Sequence, residues 1–259
     1  YECYWRLMKF FFDSLDSDDA LSAKEKYMHK YKQHNIEEAD VIVPIGGDGF
    51  LLKSLHDYKN FKKPFYGINY GSIGFLMNNE SNEKLNTIIS SAQNIELKPL
   101  KMKAKNYDNK TYESIAFNEV SIMRQTYQAA KITIKINNIE RIKELVCDGV
   151  LVSTAAGSTA YNLSAHGNII PLDSNLLALT PISAFRPRRW RGALLSEKTK
   201  INFYVNNSKI RSASVTADHN EFINIKEVEI TSSSNIRCNV LFDNNHSMEE
   251  KILKEQFFY

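Results

Sequence analysis

The chain has 259 residues, 43% apolar and 24% charged, which suits a folded protein with a full core and two lobes and excludes disordered and fibrous classes. A net charge of +3 spread along the chain excludes a general affinity for nucleic acid or anionic membrane, while leaving room for a small anionic ligand. Three distant cysteines, Cys3, Cys147 and Cys238, form no CxxC pair; this argues against a disulfide framework or zinc ribbon and makes a reducing cytoplasm the expected compartment.

The start, Tyr1-Glu2-Cys3-Tyr4-Trp5-Arg6, lacks the charged-then-apolar layout of a secretory signal, and the missing initiator Met suggests a trimmed end. No apolar stretch approaches transmembrane length. From Ser17 to about Tyr31, Ala20, Ala23, Tyr27 and Tyr31 recur at helical spacing behind an acidic first turn, which predicts a surface helix. A strand over 40–45, a glycine turn, a helix over about 49–58, a strand over 64–69 and a helix over 82–93 follow. Strands alternating with helices predict a parallel sheet covered on both faces.

After about residue 95 the texture changes. Ile95 to Lys98, Lys131 to Ile136 and Phe222 to Ile225 alternate apolar and polar residues, the pattern of antiparallel sheet with one wet face. The expected division is an α/β lobe over 1–98, a β-rich domain over 99–242, and a C-terminal helix within 243–259 that returns to the first lobe. In that last segment Met248, Ile252 and Leu253 keep helical spacing, and Ser247 with Glu250 can form a capping box.

Three stretches could carry chemistry. Gly46-Gly47-Asp48-Gly49 follows a strand and opens a helix, so backbone amides and the positive end of the helix dipole face whatever lies at the turn. Asp48 suits a hydroxyl that attacks a phosphoryl group, or a metal bridging phosphates, better than a phosphate itself. An ordinary turn would look the same. The tract Asp148 to Gly167, DGVLVSTAAGSTAYNLSAHG, runs a buried strand into small and hydroxylated residues and then an aromatic. Hydroxyl side chains compete for backbone hydrogen bonds, so a shaped loop entering a helix is expected. Small residues leave room for a flat ring, Tyr161 can stack on it, and Asp148 can accept hydrogen bonds. In Phe117-Asn118-Glu119-Val120 an amide and a carboxylate stand side by side, as would suit the two hydroxyls of a ribose; a polar bulge would give the same pattern.

Together these stretches resemble the NAD kinase family, over residues 39 to 245. The resemblance rests on GGDGF for the family's GGDGT, GSIGF at 71–75, NEVSI at 118–122, and the 148–167 tract for DGxxxSTPTGSTAYxxSAGG. It implies a two-domain fold, with an α/β nucleotide-binding lobe and a mostly β C-terminal domain, and transfer of a phosphoryl group from ATP to the 2′-hydroxyl of the adenosine ribose of NAD. By that resemblance Asp48 lies at the phosphorylated hydroxyl, and the amides of Gly46, Gly47 and Gly49 face the ATP phosphates. Asn118 and Glu119 grip ribose hydroxyls, while Asp148 and the Ala160 main chain hold the nicotinamide end. Thr159, Tyr161 and Ser164 line the dinucleotide pocket, Phe75 packs near the adenine, and His219 contacts a phosphate. Gly49 counts with the NAD-binding residues too. Mg²⁺ or another divalent cation is expected to bridge the ATP phosphates without a dedicated protein cage, and a homodimer or homotetramer is implied.

The sequence departs from the pattern at Phe50, where the family has threonine, at Ala155-Ala156 for Pro-Thr, and at His166 for glycine. Arg186, Arg188, Arg189 and Arg191 around Trp190 form the one dense basic patch: a solvated loop, a phosphate contact or a subunit contact. His56 and His166 lack metal-ligand spacing. A lipid kinase sharing GGDG would need an apolar acceptor cleft. A non-catalytic NAD(P)-binding regulator would not need Asp48.

Overall fold

The structure is a computed structural model and describes residues 8–72, 74–243, 250, 251, 253 and 257. The chain divides into two compact units, one of residues 1–97 with 237–259 and one of residues 98–236.

The first unit is built on three parallel strands in the order β1 (Phe10–Ser14), β2 (Val41–Gly46), β3 (Ile68–Asn69). β2 is buried along its whole length, as a strand covered on both faces must be. Val41, Val43 and Ile45 of β2 share an apolar cluster with Ala20, Ala23 and Tyr27 of α1 (Asp18–Tyr31) and with Leu85, Ile88 and Ile89 of α3 (Leu85–Ser91). α2 (Asp48–Tyr58) starts two residues after β2 ends and packs along it, burying Phe50, Leu51, Ser54 and Leu55. A two-stranded antiparallel ladder of β4 (Gln93–Leu97) and β17 (Cys238–Phe242) belongs to the same unit, and a bridge from Phe65 to Val240 ties it to the region before β3.

The second unit is a β-sandwich. Among the described residues one sheet runs in the order β12 (Ala193–Ser196), β11 (Leu176–Ile182), β10 (Gly149–Ser153), β7 (Glu119–Arg124), β14 (Ala213–Ala217), β15 (Asn220–Phe222). The other runs β6 (Thr111–Ala116), β5 (Leu100–Asn106), β16 (Ile225–Ser232), β13 (Ile201–Val205), β8 (Ala130–Ile136), β9 (Ile139–Cys147). Alternating residues of both sheets, among them Val120, Ile122, Val150, Val152, Met102, Ile132, Phe203 and Val228, meet in one core. A short helix, α4 (Tyr161–Ser164), follows the 153–160 loop.

Several expectations needed revision. Phe10–Ser14, left without an element in the sequence, is the first parallel strand: FFF is apolar throughout, so no period marks it. The strand expected over 64–69 reduces to Ile68–Asn69 with isolated bridges at Phe65. Phe222 to Ile225 alternates like one strand but is broken, because Asn224 adopts a left-handed φ of 60° and Ile223 is exposed. Ser247 of the capping pair and the stripe residues Met248 and Ile252 lie outside the described residues, whereas Glu250, Lys251 and Leu253 are helical.

Candidate active site

In the first unit Asp48 is the first residue of α2, with Gly47 as the extended cap before it. The first amides of a helix have no partner inside the helix, so the Gly47 to Gly49 turn offers donors to an anion. Two glycine turns meet here: a Cβ on Gly71 would stand 2.8 Å from the Gly47 Cα, which only a residue without a side chain permits. The Asp48 carboxylate does not point into solvent. Its Oδ2 accepts the Phe75 N–H at 2.8 Å and its Oδ1 accepts the Leu76 N–H at 2.9 Å. Burial raises the Asp48 pKa above the usual carboxylate range, opposed by those two amide bonds and by the charge of Lys251. The predicted pair Asp48 and Phe75 is thus brought together, through the Phe75 main chain; its ring is buried. Phe50 is buried as well, so no side-chain hydroxyl assists the turn.

In the second unit Glu119 begins β7 with Asn118 just before it, and their backbone is held by Asp218. Its carboxylate accepts the amides of Phe117 (2.6 Å), Asn118 (3.0 Å) and Glu119 (3.2 Å). Asp218 can do this because it turns at φ 51° on the tip between β14 and β15. The Asn118 carbonyl accepts the Thr154 N–H at 2.9 Å, and the Phe117 carbonyl accepts the Thr154 hydroxyl at 2.6 Å. Gly157 allows this approach: a Cβ there would fall 2.3 Å from the Asn118 oxygen.

The hydroxyl-rich tract therefore has two layers. Ser153, Thr154 and Ser158 are buried and spend their hydroxyls on backbone carbonyls, and buried Asn162 ties Ser158, Asn168 and Thr180 together. Thr159, Ala160 and Tyr161 lie on the outer side and are at least partly exposed. The Tyr161 amide donates to Glu119, whose pKa is pushed up to about 7, first by burial and then by the neighbouring Asp218 charge. Its Oε2 is buried without a hydrogen-bond partner among the described residues, an orphan acceptor of the kind a ligand hydroxyl satisfies. The Tyr161 phenol feels both Glu119 and Asp148, so these three predicted residues share one neighbourhood. Asp148 is already engaged, its Oδ1 accepting Arg124 Nε at 2.6 Å. Ser164 and His219 are exposed, His219 beside Asp218 on the hairpin tip.

Sequence reasoning overlooked Arg124, Lys251 and the part played by Asp218. The first two act across 24 and 177 residues, distances at which no spacing rule operates. Asp218 carried a local signal, an acidic residue directly after a strand and before a short hairpin strand.

Residues 117–250 match the family described as ATP-NAD kinase C-terminal domain. Proteins named NAD kinase are similar over nearly the whole chain. That of Rickettsia bellii is 47% identical, covering 93% of this chain and 95% of its own length. Those of Xylella fastidiosa and Mesorhizobium japonicum are 49% and 48% identical, covering 93% and 96% of this chain and the same shares of their own lengths. The chain belongs to the NAD kinase family. The folds agree too. Yeast NADH kinase, solved with NADH, superposes with a TM-score of 0.76 at 18% identity, covering 97% of this chain and 88% of that one. An Archaeoglobus fulgidus NAD kinase solved with ATP gives 0.73 at 23% identity, covering 96% and 98%. His166, which stands where the family pattern has glycine, takes a left-handed backbone at φ 61°, a conformation that costs a residue with a side chain some strain. No helix among the described residues is long and apolar enough to cross a membrane.

Proposed function

We propose that this protein is an NAD kinase that transfers the γ-phosphoryl group of ATP to the 2′-hydroxyl of the adenosine ribose of NAD, with Asp48 as its general base. The observation that carries the reading is the Asp48 carboxylate, fixed at the mouth of α2 by two backbone amides and partly withdrawn from water. Each oxygen keeps a further lone pair for a hydroxyl proton. A ribose hydroxyl is too weakly acidic to be deprotonated beforehand, so Asp48 orients it and takes the proton late, as the bond to phosphorus forms. Burial lifts the Asp48 pKa, which makes its carboxylate a stronger base than one in water.

The Gly46, Gly47 and Gly49 backbone receives the donor phosphates at the helix start. Asn118 and the orphan Glu119 oxygen hold ribose hydroxyls. Tyr161, Thr159, Ala160, Ser164, Asp148 and Phe75 complete the dinucleotide subsites, and His219 stands at the rim. Among the described residues no group of three acidic, His or Cys side chains stands together, and both Asp48 oxygens already accept amides. A divalent cation bound with ATP would supply charge neutralisation on its phosphates. A cytoplasmic homodimer or homotetramer completes the proposal.

The test is direct. Protein, ATP, Mg²⁺ and NAD are incubated, and NADP is read with an NADP-specific dehydrogenase. The expected result is NADP formation that depends on all three additions; no signal above a heat-killed control refutes the reading. Parallel runs with NADH and with polyphosphate define acceptor and donor, and light scattering on a sizing column gives the assembly.

A further inference from the structure

The loop that presents amides to Asp48 is gripped from its other side. Lys251 Nζ donates to the Gly74 carbonyl at 2.9 Å and to the Met77 carbonyl. Within four residues the polar main chain thus alternates in its partners: the carbonyls of 74 and 77 go to an ammonium, and the amides of 75 and 76 go to the Asp48 carboxylate. The next residue continues the stitching. Buried Asn78 donates to the carbonyls of Gly67 (3.1 Å) and Leu241 (2.9 Å) and accepts the Asp243 N–H at 3.0 Å. Gly74 itself takes φ 126°, a backbone that glycine adopts freely and L side chains rarely do.

We infer that Lys251 is a positioning residue for phosphoryl transfer, holding the 74–77 loop so that the Asp48 carboxylate keeps its orientation. This rests on the NAD kinase reading above. Lys251 need touch no substrate, because it acts through the loop and through its field. The charged groups that bear on it are Asp48 and Asp243; both favour its protonated form, while burial opposes it. In return its charge lowers the Asp48 pKa. Two of its three N–H groups are committed to carbonyls, so the ammonium is fixed in place. A neutral side chain of similar length removes the charge and at least one of the two grips.

The experiment compares Lys251→Gln and Lys251→Arg with the parent enzyme in the NADP-forming assay, across pH. For Gln the expected result is a kcat lower by about tenfold, one order less than loss of a direct transition-state donor, with KM for NAD changed by less than about threefold, since ground-state binding is intact. The acid limb of kcat should move to higher pH, because Asp48 without its cationic neighbour protonates more readily. Arg, which keeps charge and two donors, should restore most of the turnover and the parent acid limb. Circular dichroism shows whether Gln folds; if it does not, Arg against parent carries the test, with parent-like turnover and limb expected. Parent-like turnover in Gln, a fall without movement of the acid limb, or an Arg variant no better than Gln overturns the inference. An inactive parent enzyme instead refutes the NAD kinase reading itself.

Discussion

Each unit of this protein fixes a short stretch of main chain on a carboxylate. In the first, Asp48 takes the amides of Phe75 and Leu76; in the second, Asp218 takes those of Phe117, Asn118 and Glu119. The difference lies in what stands next to the charge. Beyond the Asp48 loop is a cation, Lys251, whose charge opposes the rise that burial gives the Asp48 pKa. Beside Asp218 is a second carboxylate, Glu119, whose pKa is driven up to about 7, first by burial and then by the Asp218 charge. One device is charge-compensated and suits a group that must hold a proton only in passing. The other is charge-crowded, which leaves an acceptor avid for hydroxyl hydrogens that disperse its charge.

The comparison breaks most visibly at Asp48. Asp48→Asn should lower kcat by at least about a hundredfold, the usual scale for losing a general base, while NAD still binds in a calorimetric titration. Equal loss of NAD binding would make Asp48 a binding residue and erase the contrast between the units. Next in size is Gly157→Ala, which drives a methyl group against the Asn118 carbonyl. Its expected cost is about 1–3 kcal/mol of stability by denaturant titration, with weaker NAD binding as the Asn118 backbone is pushed off Asp218. Asp218→Asn keeps the shape but puts an amide group where acceptors are needed. It should raise KM for NAD by about tenfold, the worth of a lost charge-assisted hydrogen bond, with little change in kcat.

The smallest effect sharpens the electrostatic side. Glu119 has a folded pKa of about 7 against an ordinary 4.5, so between those values the folded state binds the extra proton. Stability therefore falls as pH rises through that window. Glu119→Gln removes the titrating group, so relative to the parent it should gain on the order of 1–2 kcal/mol between pH 5 and pH 8, discounted for partial burial. Thermal melts at several pH values measure it, and a pH-independent difference would mean that burial and Asp218 do not raise the Glu119 pKa. NAD affinity of the parent should rise over the same window as the carboxylate ionises.

Much of this was legible in the sequence because it is local. The GGDG turn, α1 and α2 follow from periodicity and from glycine chemistry, and the adjacent Asn118 and Glu119 announce a polar interruption of a strand. β1 was not legible, since FFF has no alternation to read. The split between β15 and β16 was hidden because Asn224 fits a strand pattern until its backbone is seen. The hydroxyl tract was half legible: its composition marked a shaped loop, but only packing separates Ser153, Thr154 and Ser158, which build it, from Thr159 and Tyr161, which it presents. Arg124 and Lys251 meet their partners through tertiary contact alone. The Phe50 departure, by contrast, has a plain physical outcome: its ring joins the buried face of α2.

The order of the chain has one more consequence. The second unit is contiguous from Lys98 to Ile236, whereas the first is interrupted by it and regains the chain only at Arg237. During synthesis the whole sandwich therefore emerges before β17 can pair with β4 and before Lys251 exists to grip the Asp48 loop. Domains fold as units while the chain is being made. The half that carries Asn118 and Glu119 is thus completed on the ribosome first, and the half that carries Asp48 acquires these supports only once the chain has been made through Lys251.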